Sequence, residues 1–343
     1  RRPHPDGMLL LLHALAKAKV ETLHPPGQAA AFFEAPAGPE PAVEKLSPSS
    51  LAKARGSLVQ LRHRGVVFGL FLPTAQREGE ASPVLVFLHG RGESGGFAVA
   101  NAQSLPWLLS RGNNASFAAS FPFIVVAPQC PQECASENGW RSDVLRGVAE
   151  LVHDWASSQL TRGPRRDLPE GSAGLCRSQV NTDLRGDPTR VYLTGQSMGG
   201  HGAWTFAAQQ PRFFAAVAVV CGYAQGSEQE EEIARRLARG HSSTAVCVYH
   251  SADDSVIPVA AADRMVNAFA AAAAQGSEVR YVRYQHAPGP PISEYSALVG
   301  HGSYEIAYRD AALYEWLLRH QCDKCGRPLA RWHELPPPPF TFG

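Results

Sequence analysis

The sequence predicts an α/β fold in which a mostly parallel central sheet carries helices on both faces. Apolar runs of strand length alternate with amphipathic helical segments over about 260 residues. The run 83–90 (PVLVFLHG) is almost continuously apolar, which is typical of a parallel strand buried on both faces. An apolar run also leads into a glycine-rich turn and then a helix at 191–204. Together these observations favour parallel strands joined by crossover helices.

The chain is long and apolar enough for a large core. Of its 343 residues, 44% are hydrophobic and 18% are charged, which excludes a disordered chain. The net charge of +1 gives no electrostatic reason to expect nucleic acid as a partner. Residues 1–55 are rich in Ala and Pro and are predicted as a loose N-terminal arm or prosegment that can carry one helix. One domain is predicted over 56–320, with a surface insertion at about 161–186, and 321–343 form a tail.

The elements of the domain follow from periodicity and from turn residues. A hairpin is predicted at 57–73, around Arg64 and Gly65. Helical periodicity and terminating Gly or Pro residues indicate the helices. The further predicted strands are 83–90, 121–128, 190–195, 214–222, 243–250 and 278–284. The predicted helices are 142–160, 198–210, 228–238, 261–276 and 303–320.

The candidate nucleophile is Ser197, in the run Gly195-Gln196-Ser197-Met198-Gly199. A serine on a tight strand-to-helix turn has a strained backbone, so the residues two positions away on each side must be small. The turn exposes the serine hydroxyl at the carboxyl edge of the sheet, where α/β sheets bind ligands. It also places the Met198 N–H at a helix N-terminus, where a developing negative charge is stabilised.

A nucleophilic serine needs a base and an acid, and with this turn both follow the serine in the chain. Asp253 and Asp254 follow a predicted strand and are the candidate acids, with helix capping as the alternative use of either residue. Three histidines come late enough to act as the base. His301 lies between glycines before the last helix and is preferred, His286 is the rival, and His320 fits a helix C-terminus.

A second glycine-rich segment, 86–96 (VFLHGRGESGG), follows an early strand and is the candidate oxyanion loop. Gly90, Arg91 and Gly92 are the candidate backbone donors in this loop, with Met198 as the second donor. A phosphate-binding loop is disfavoured because no Gly-Lys-Ser/Thr follows. The candidate substrate contacts are Trp140 and Gln196, and a core position is the alternative for Trp140.

These blocks, in this order, resemble serine esterases of the α/β-hydrolase superfamily. The likeness is greatest to the predicted-peptidase and phospholipase/carboxylesterase-type group, related to feruloyl and polyhydroxybutyrate-depolymerase-like esterases. It spans residues 57–320 and includes 86–96, 187–222 and "VYHSADDSVIPV", in which Ser251 stands where the family has glycine. The resemblance implies an α/β-hydrolase fold and a Ser197–Asp254–His301 triad. It further implies hydrolysis of a carboxylic ester or thioester, acting on a small-molecule or lipid-like acyl ester without a metal or other cofactor.

Two alternatives to an esterase stay open from the sequence: a serine peptidase, and a non-catalytic binding module on the same fold. The seven scattered cysteines favour a mostly reduced interior and hence a cytoplasmic location. The apolar run 8–16 is too short to span a bilayer but fits either a cleaved signal peptide or an amphipathic helix. Cys322 and Cys325 form a Cys-x-x-Cys pair, for which a disulfide or free thiols are favoured over half of a zinc site.

Overall fold

The structure of the chain is a computed structural model. This structure describes residues 18–23, 43–75, 80–95, 104–110, 114–156, 185–238, 244–273, 278–291, 296–323, 325–327, 332–333 and 335. The predicted insertion at 161–186 lies outside the described residues except for 185–186. The apolar run 8–16 lies outside them as well.

The described strands form one sheet of ten, ordered β1-β10-β9-β8-β7-β5-β6-β4-β3-β2. Their bounds are β1 Ala18–Leu23, β2 Glu44–Lys45, β3 Val59–His63, β4 Val66–Phe71, β5 Ser82–Leu88, β6 Ile124–Pro128, β7 Gly186–Gln196, β8 Ala216–Val220, β9 Ala245–Ser251 and β10 Val279–Tyr284. Only β4 runs antiparallel to its described neighbours, β3 and β6, and the other pairings are parallel. The predicted fold class is therefore confirmed.

Helices cover both faces of this sheet. Their bounds are α1 Pro48–Ala54, α2 Leu105–Leu109, α3 Ala115–Ser120, α4 Glu133–Glu137, α5 Ser142–Ala156, α6 Met198–Gln209, α7 Ser227–Ala238, α8 Ala260–Ala272, α9 Ser303–Ala307 and α10 Ala311–Leu318. A short 3₁₀ helix, Arg91–Glu93, follows β5. Within the described residues, no helix combines the length and apolarity needed to cross a bilayer.

Strand β5 shows how the sheet is buried on both sides. All seven of its residues are buried, and successive side chains point to opposite faces. Val84, Val86 and Leu88 pack in one core cluster, under α1 and α5–α8. Leu85 and Phe87 pack in the other, under α2, α3, α9 and α10. Burying each such side chain contributes roughly 1.5–3 kcal/mol to the stability of the fold. The apolar run therefore favours a central position for β5 in the sheet.

The hairpin predicted at 57–73 is present as β3 and β4. Arg64 and Gly65 both have positive φ, +48° and +82°, as the two central residues of a type I′ turn do. The described residues of the predicted N-terminal arm, 18–23 and 43–55, contain the one helix that the sequence allowed and also strands β1 and β2. Strand β1 pairs in parallel with β10 at the sheet edge, and α1 begins with a capping box at Ser47. Edge pairing is a long-range contact, and residues 18–23 (AKVETL) carry no apolar run that would signal it.

The prediction of mostly reduced cysteines is wrong for Cys130 and Cys134, whereas the disulfide at Cys322 and Cys325 is one of the two states favoured from the sequence. Cys130–Cys134 and Cys322–Cys325 form disulfides, whereas Cys221 and Cys247 are buried free thiols. The start of the predicted C-terminal tail packs on the domain, because the Cys322 N–H donates to Thr189 O and the Gly326 N–H to Phe213 O.

Candidate active site

Ser197 lies on the sharp turn between β7 and α6. Its φ of 54° and ψ of −120° place a non-glycine residue in a strained backbone region. The surroundings enforce the strain, since a Cβ on Gly195 would overlap the Gly199 carbonyl group and one on Gly199 would overlap the Leu88 carbonyl group. This is the steric demand that the Gly-x-Ser-x-Gly pattern predicts. The turn presents the Ser197 hydroxyl at the carboxyl edge of the sheet.

Three side chains from separate loops meet at this edge. Ser197 Oγ lies 3.0 Å from His301 Nε2. On the other side of the same ring, His301 Nδ1 lies 3.0 Å from Asp254 Oδ2 and 3.1 Å from Oδ1. Asp254 follows β9, and His301 directly precedes α9. The arrangement can relay a proton from the hydroxyl to the ring, with the carboxylate supporting the resulting positive charge.

The Asp254 carboxylate is held in one orientation. Its Oδ1 accepts the backbone N–H groups of Val256 and Ile257, both at 2.9 Å. His250 Nε2 lies 3.3 Å from Oδ2 and also 2.8 Å from Ile257 O. Burial acts to raise the pKa of Asp254, but hydrogen bonds from His250 and His301 outweigh burial and hold that pKa well below its usual value. Asp254 is therefore an anion at neutral pH.

The loop that carries His301 fits closely on the loop that carries Asp254. Gly300 has a φ of +81°, and a Cβ there would overlap the Asp253 backbone. The Ser255 N–H donates to Val299 O, and the Gly300 N–H donates to Ala287 O, both at 3.0 Å. Glycine at position 300 thus allows the two loops to approach and brings His301 onto Asp254.

The rival residues lie elsewhere. His286 has an 81% exposed side chain and lies 3.2 Å from Asp253, forming an outer pair beside the buried one. His320 contacts Trp316 O and Glu278 at the end of α10. The structure therefore brings Asp254 and His301, rather than these alternatives, to Ser197.

The candidate oxyanion loop runs beside the serine. A Cβ on Gly90 would lie 3.6 Å from Ser197 Cβ. Arg91 and Gly92 are the first residues of the 3₁₀ helix, and Met198 is the first residue of α6, so their N–H groups have no acceptor within their own turns. Gly90 differs, because its N–H interacts with the Glu93 carboxylate. Arg91, Gly92 and Met198 remain the candidate donors, and Gly90 does not.

His89 and Trp140 form a buried support beneath this loop. The Trp140 indole N–H donates to His89 O at 3.2 Å, and the two rings lie 4.8 Å apart. His89 donates from Nδ1 to Gly90 O at 2.7 Å and accepts the Cys130 N–H on Nε2 at 3.0 Å. Burial lowers the pKa of His89 to about 4, which keeps the ring neutral. Trp140 is 8% exposed, so its position is the core alternative and not the predicted substrate contact.

Gln196 also differs from its expected role, and it reveals a residue that the sequence pattern did not single out. Its side chain is 2% exposed, and its Nε2 donates to Glu93 Oε1 at 3.1 Å. A direct substrate contact by Gln196 is therefore not supported. Glu93 is itself buried, and burial raises its pKa to about 7. Its signal in the sequence was the one acidic residue of the glycine-rich segment 86–96.

One group in the described part of the chain has the spacing of metal ligands: Cys221, Asp254 and His301. Asp254 and His301 already bond to each other. Burial, with the Asp254 charge second, raises the pKa of the Cys221 thiol, which keeps it protonated and a poor ligand. The donor set therefore does not favour a metal ion.

The strand order and the turn at Ser197 are those of the α/β-hydrolase fold. A solved thermostable esterase has this fold with a TM-score of 0.53 and 24% identity, matching 77% of this chain and 63% of its own. Esterase 2 of Thermogutta terrifontis phosphoramylated by tabun matches with a TM-score of 0.44 and 13% identity, over 74% of this chain and 86% of its own. A search among curated proteins found no match.

The model of the Esterase family, described as "Putative esterase", matches residues 63–295. The chain belongs to this family, and the resemblance read from the sequence blocks is confirmed. The match begins in β3 and extends past β10, so it includes the turn at Ser197 and the loop after β9. The chain thus combines membership of the Esterase family with the α/β-hydrolase fold.

Proposed function

We propose that this chain hydrolyses carboxylic esters or thioesters through Ser197, His301 and Asp254. The observation that carries the proposal is the continuous chain of contacts from Ser197 Oγ through the His301 ring to Asp254, at 3.0 Å in each step. Membership of the Esterase family supports the same reaction class. Asp254, anionic and bonded to the ring, keeps His301 Nε2 free to accept the serine proton.

The reaction has two halves. Ser197 Oγ attacks the acyl carbonyl carbon while His301 Nε2 takes the hydroxyl proton, and that proton then passes to the departing alcohol or thiol. Water, activated by His301, then cleaves the acyl-enzyme and regenerates Ser197. The N–H of Met198, with that of Arg91 or Gly92, stabilises the tetrahedral oxyanion, and each such donor lowers the barrier by about 3–4 kcal/mol.

The substrate is a small or lipid-like acyl ester. Two of the large apolar side chains exposed in the described residues, Val256 (43%) and Val299 (52%), lie on the loops of Asp254 and His301. Ser255 joins these two loops by donating both its N–H and its hydroxyl to Val299 O. An apolar rim beside the reacting groups supports an acyl chain as the bound part of the substrate.

Labelling by a fluorophosphonate probe tests the proposal. The wild-type chain should label, Ser197→Ala and His301→Ala should not, and His286→Ala should label like the wild type. Hydrolysis of p-nitrophenyl esters of increasing acyl length, beside peptide p-nitroanilides, then separates an esterase from a peptidase. A folded wild-type chain that neither labels nor hydrolyses these compounds would be a binding module on a hydrolase fold, and the proposal would be wrong.

A further inference from the structure

Glu93 is a buried acid beside the reacting groups to which the mechanism above gives no role. It ends the 3₁₀ helix of the oxyanion loop and is 6% exposed. A Cβ on Gly90 would lie 3.0 Å from Glu93 Oε2 and 3.6 Å from Ser197 Cβ. The carboxylate, the glycine and the nucleophile are thus immediate neighbours.

The carboxylate of Glu93 links the two halves of the candidate oxyanion hole. On one side, Oε1 accepts the side-chain N–H of Gln196, the residue before Ser197, at 3.1 Å. On the other side, the carboxylate interacts with the backbone N–H groups of Gly90 and of Glu93 itself. The Glu93 carbonyl is also held, because Gln129 Nε2 donates to it at 2.6 Å.

Among the described residues, the groups shown to interact with Glu93 through charge are a thiol and two phenols, none of which is a cation. They are the Cys221 thiol after β8, the Tyr304 hydroxyl on α9 and the Tyr308 hydroxyl after α9. Burial raises the pKa of each of these three groups, so they are neutral around pH 7. The N–H donors of the two loops therefore stabilise the carboxylate. Burying a carboxylate with N–H partners alone still costs free energy.

We propose that Glu93 is a positioning residue that ties the oxyanion loop to the nucleophile turn, through Gly90 on one side and Gln196 on the other. This inference rests on the proposed esterase function. Oxyanion donors act only when they are preorganised at the place where charge develops. By holding the Gly90 backbone, the Glu93 carboxylate sets the direction of the next N–H group, that of Arg91, relative to Ser197.

The same contacts explain why Glu93 acts through other groups and not on the substrate. Ser197 Oγ already has His301 Nε2 as its partner, and the Glu93 side chain is turned toward Gln196 and away from solvent. Loss of the hydrogen-bond acceptor at Glu93 should therefore reduce stabilisation of the transition state and leave binding of the ground-state substrate nearly unchanged.

Steady-state hydrolysis of p-nitrophenyl butyrate by Glu93→Gln tests the inference. The amide keeps the size of the side chain but places a donor where N–H groups point. We expect kcat to fall about 10- to 100-fold, less than the 10²–10³ typical of deleting an oxyanion donor, while KM changes less than about threefold. Affinity for a trifluoromethyl ketone analogue, which binds as a tetrahedral adduct, should fall in parallel with kcat/KM.

Glu305→Gln is the matched control. Glu305 on α9 is also 6% exposed, and burial raises its pKa to about 7 as well, but the charge that faces it is Arg309. The control should keep kcat within about threefold of the wild type. In the wild type and in the control, the acidic limb of the kcat–pH profile should show an extra protonation step near pH 7. The profile of Glu93→Gln should lack this step.

The outcomes separate the two proposals. An inactive but folded wild type contradicts the esterase function itself. An active wild type with Glu93→Gln as active as Glu305→Gln overturns the positioning role. If Glu93→Gln does not fold, Gln196→Met decides, since it removes one side of the link while retaining the Glu93 carboxylate. We then expect kcat to fall about 3- to 10-fold at unchanged KM, and an unchanged kcat would refute the inference.

Discussion

Replacing Asp254 with asparagine is the sharpest test of how the three reacting side chains are arranged. Oδ1 of Asp254 accepts two backbone N–H groups, from Val256 and Ile257, at 2.9 Å. In Asp254→Asn the amide oxygen must remain at that position, because an NH₂ there would face two donors. The NH₂ group is therefore directed to the place of Oδ2, which lies 3.0 Å from His301 Nδ1.

This orientation reverses the His301 tautomer. The NH₂ donor would be the nearer of the two amide atoms to Nδ1, which favours the neutral ring that accepts at Nδ1 and carries its proton on Nε2. Nε2 lies 3.0 Å from Ser197 Oγ, so the ring would then donate to the hydroxyl instead of accepting its proton. Wrong-tautomer substitutions of this kind lower kcat by roughly 10⁴-fold, or about 5.5 kcal/mol in barrier height. Loss of the negative charge that supports the imidazolium acts in the same direction.

Hydrolysis of p-nitrophenyl butyrate, together with the rate of fluorophosphonate labelling, measures the effect. Asp253→Asn is the matched control, since it makes the same change one residue away, at a carboxylate that faces the exposed His286. The control should keep kcat within about fivefold of the wild type. If kcat of Asp254→Asn stays within tenfold of the wild type while the protein remains folded, Asp254 does not set the tautomer of His301.

Two further predictions concern the turn and the buried acids. Gly199→Ala should lower kcat about 10²-fold or more and destabilise the fold by about 1–3 kcal/mol, because its Cβ would overlap the Leu88 carbonyl group at the end of β5. Steady-state kinetics and urea unfolding measure the two effects. Wild-type values in both measurements would contradict this prediction. Glu305 has its pKa raised to about 7 by burial, so its contribution to stability is fully present below pH 4.5 and is lost as the pH rises through 7. Glu305→Gln should therefore gain about 3 kcal/mol relative to the wild type between pH 4 and pH 8, whereas a pH-independent difference in urea unfolding would show that this carboxyl does not titrate as expected.

The local features of the fold and site could be predicted from short stretches of sequence. The hairpin at Arg64 and Gly65 and the turn at Ser197 depend on backbone conformation and on steric clashes between near neighbours. Such demands restrict which residue types fit, so they leave a readable pattern. The order of nucleophile, acid and base along the chain follows from the same fold, and it limits the acid to Asp253 or Asp254 and the base to His286, His301 or His320.

Other features required the tertiary structure because they depend on contacts between distant residues. Strand β1 exists through pairing with β10, about 260 positions later in the chain. Glu93 meets Gln196 across 103 positions. None of these contacts imposes a local pattern on the residues that make them.

The choice between the two Asp–His pairs shows the division most clearly. By itself the sequence determined the fold class, the serine turn and a short set of partners, because periodicity and steric exclusion act locally. Only the tertiary structure decided that Asp254 and His301 are buried together while Asp253 and His286 meet at the surface. Adjacent residues on a loop after a strand point in different directions, and only the packing of Gly300 against that loop selects which carboxylate faces the ring.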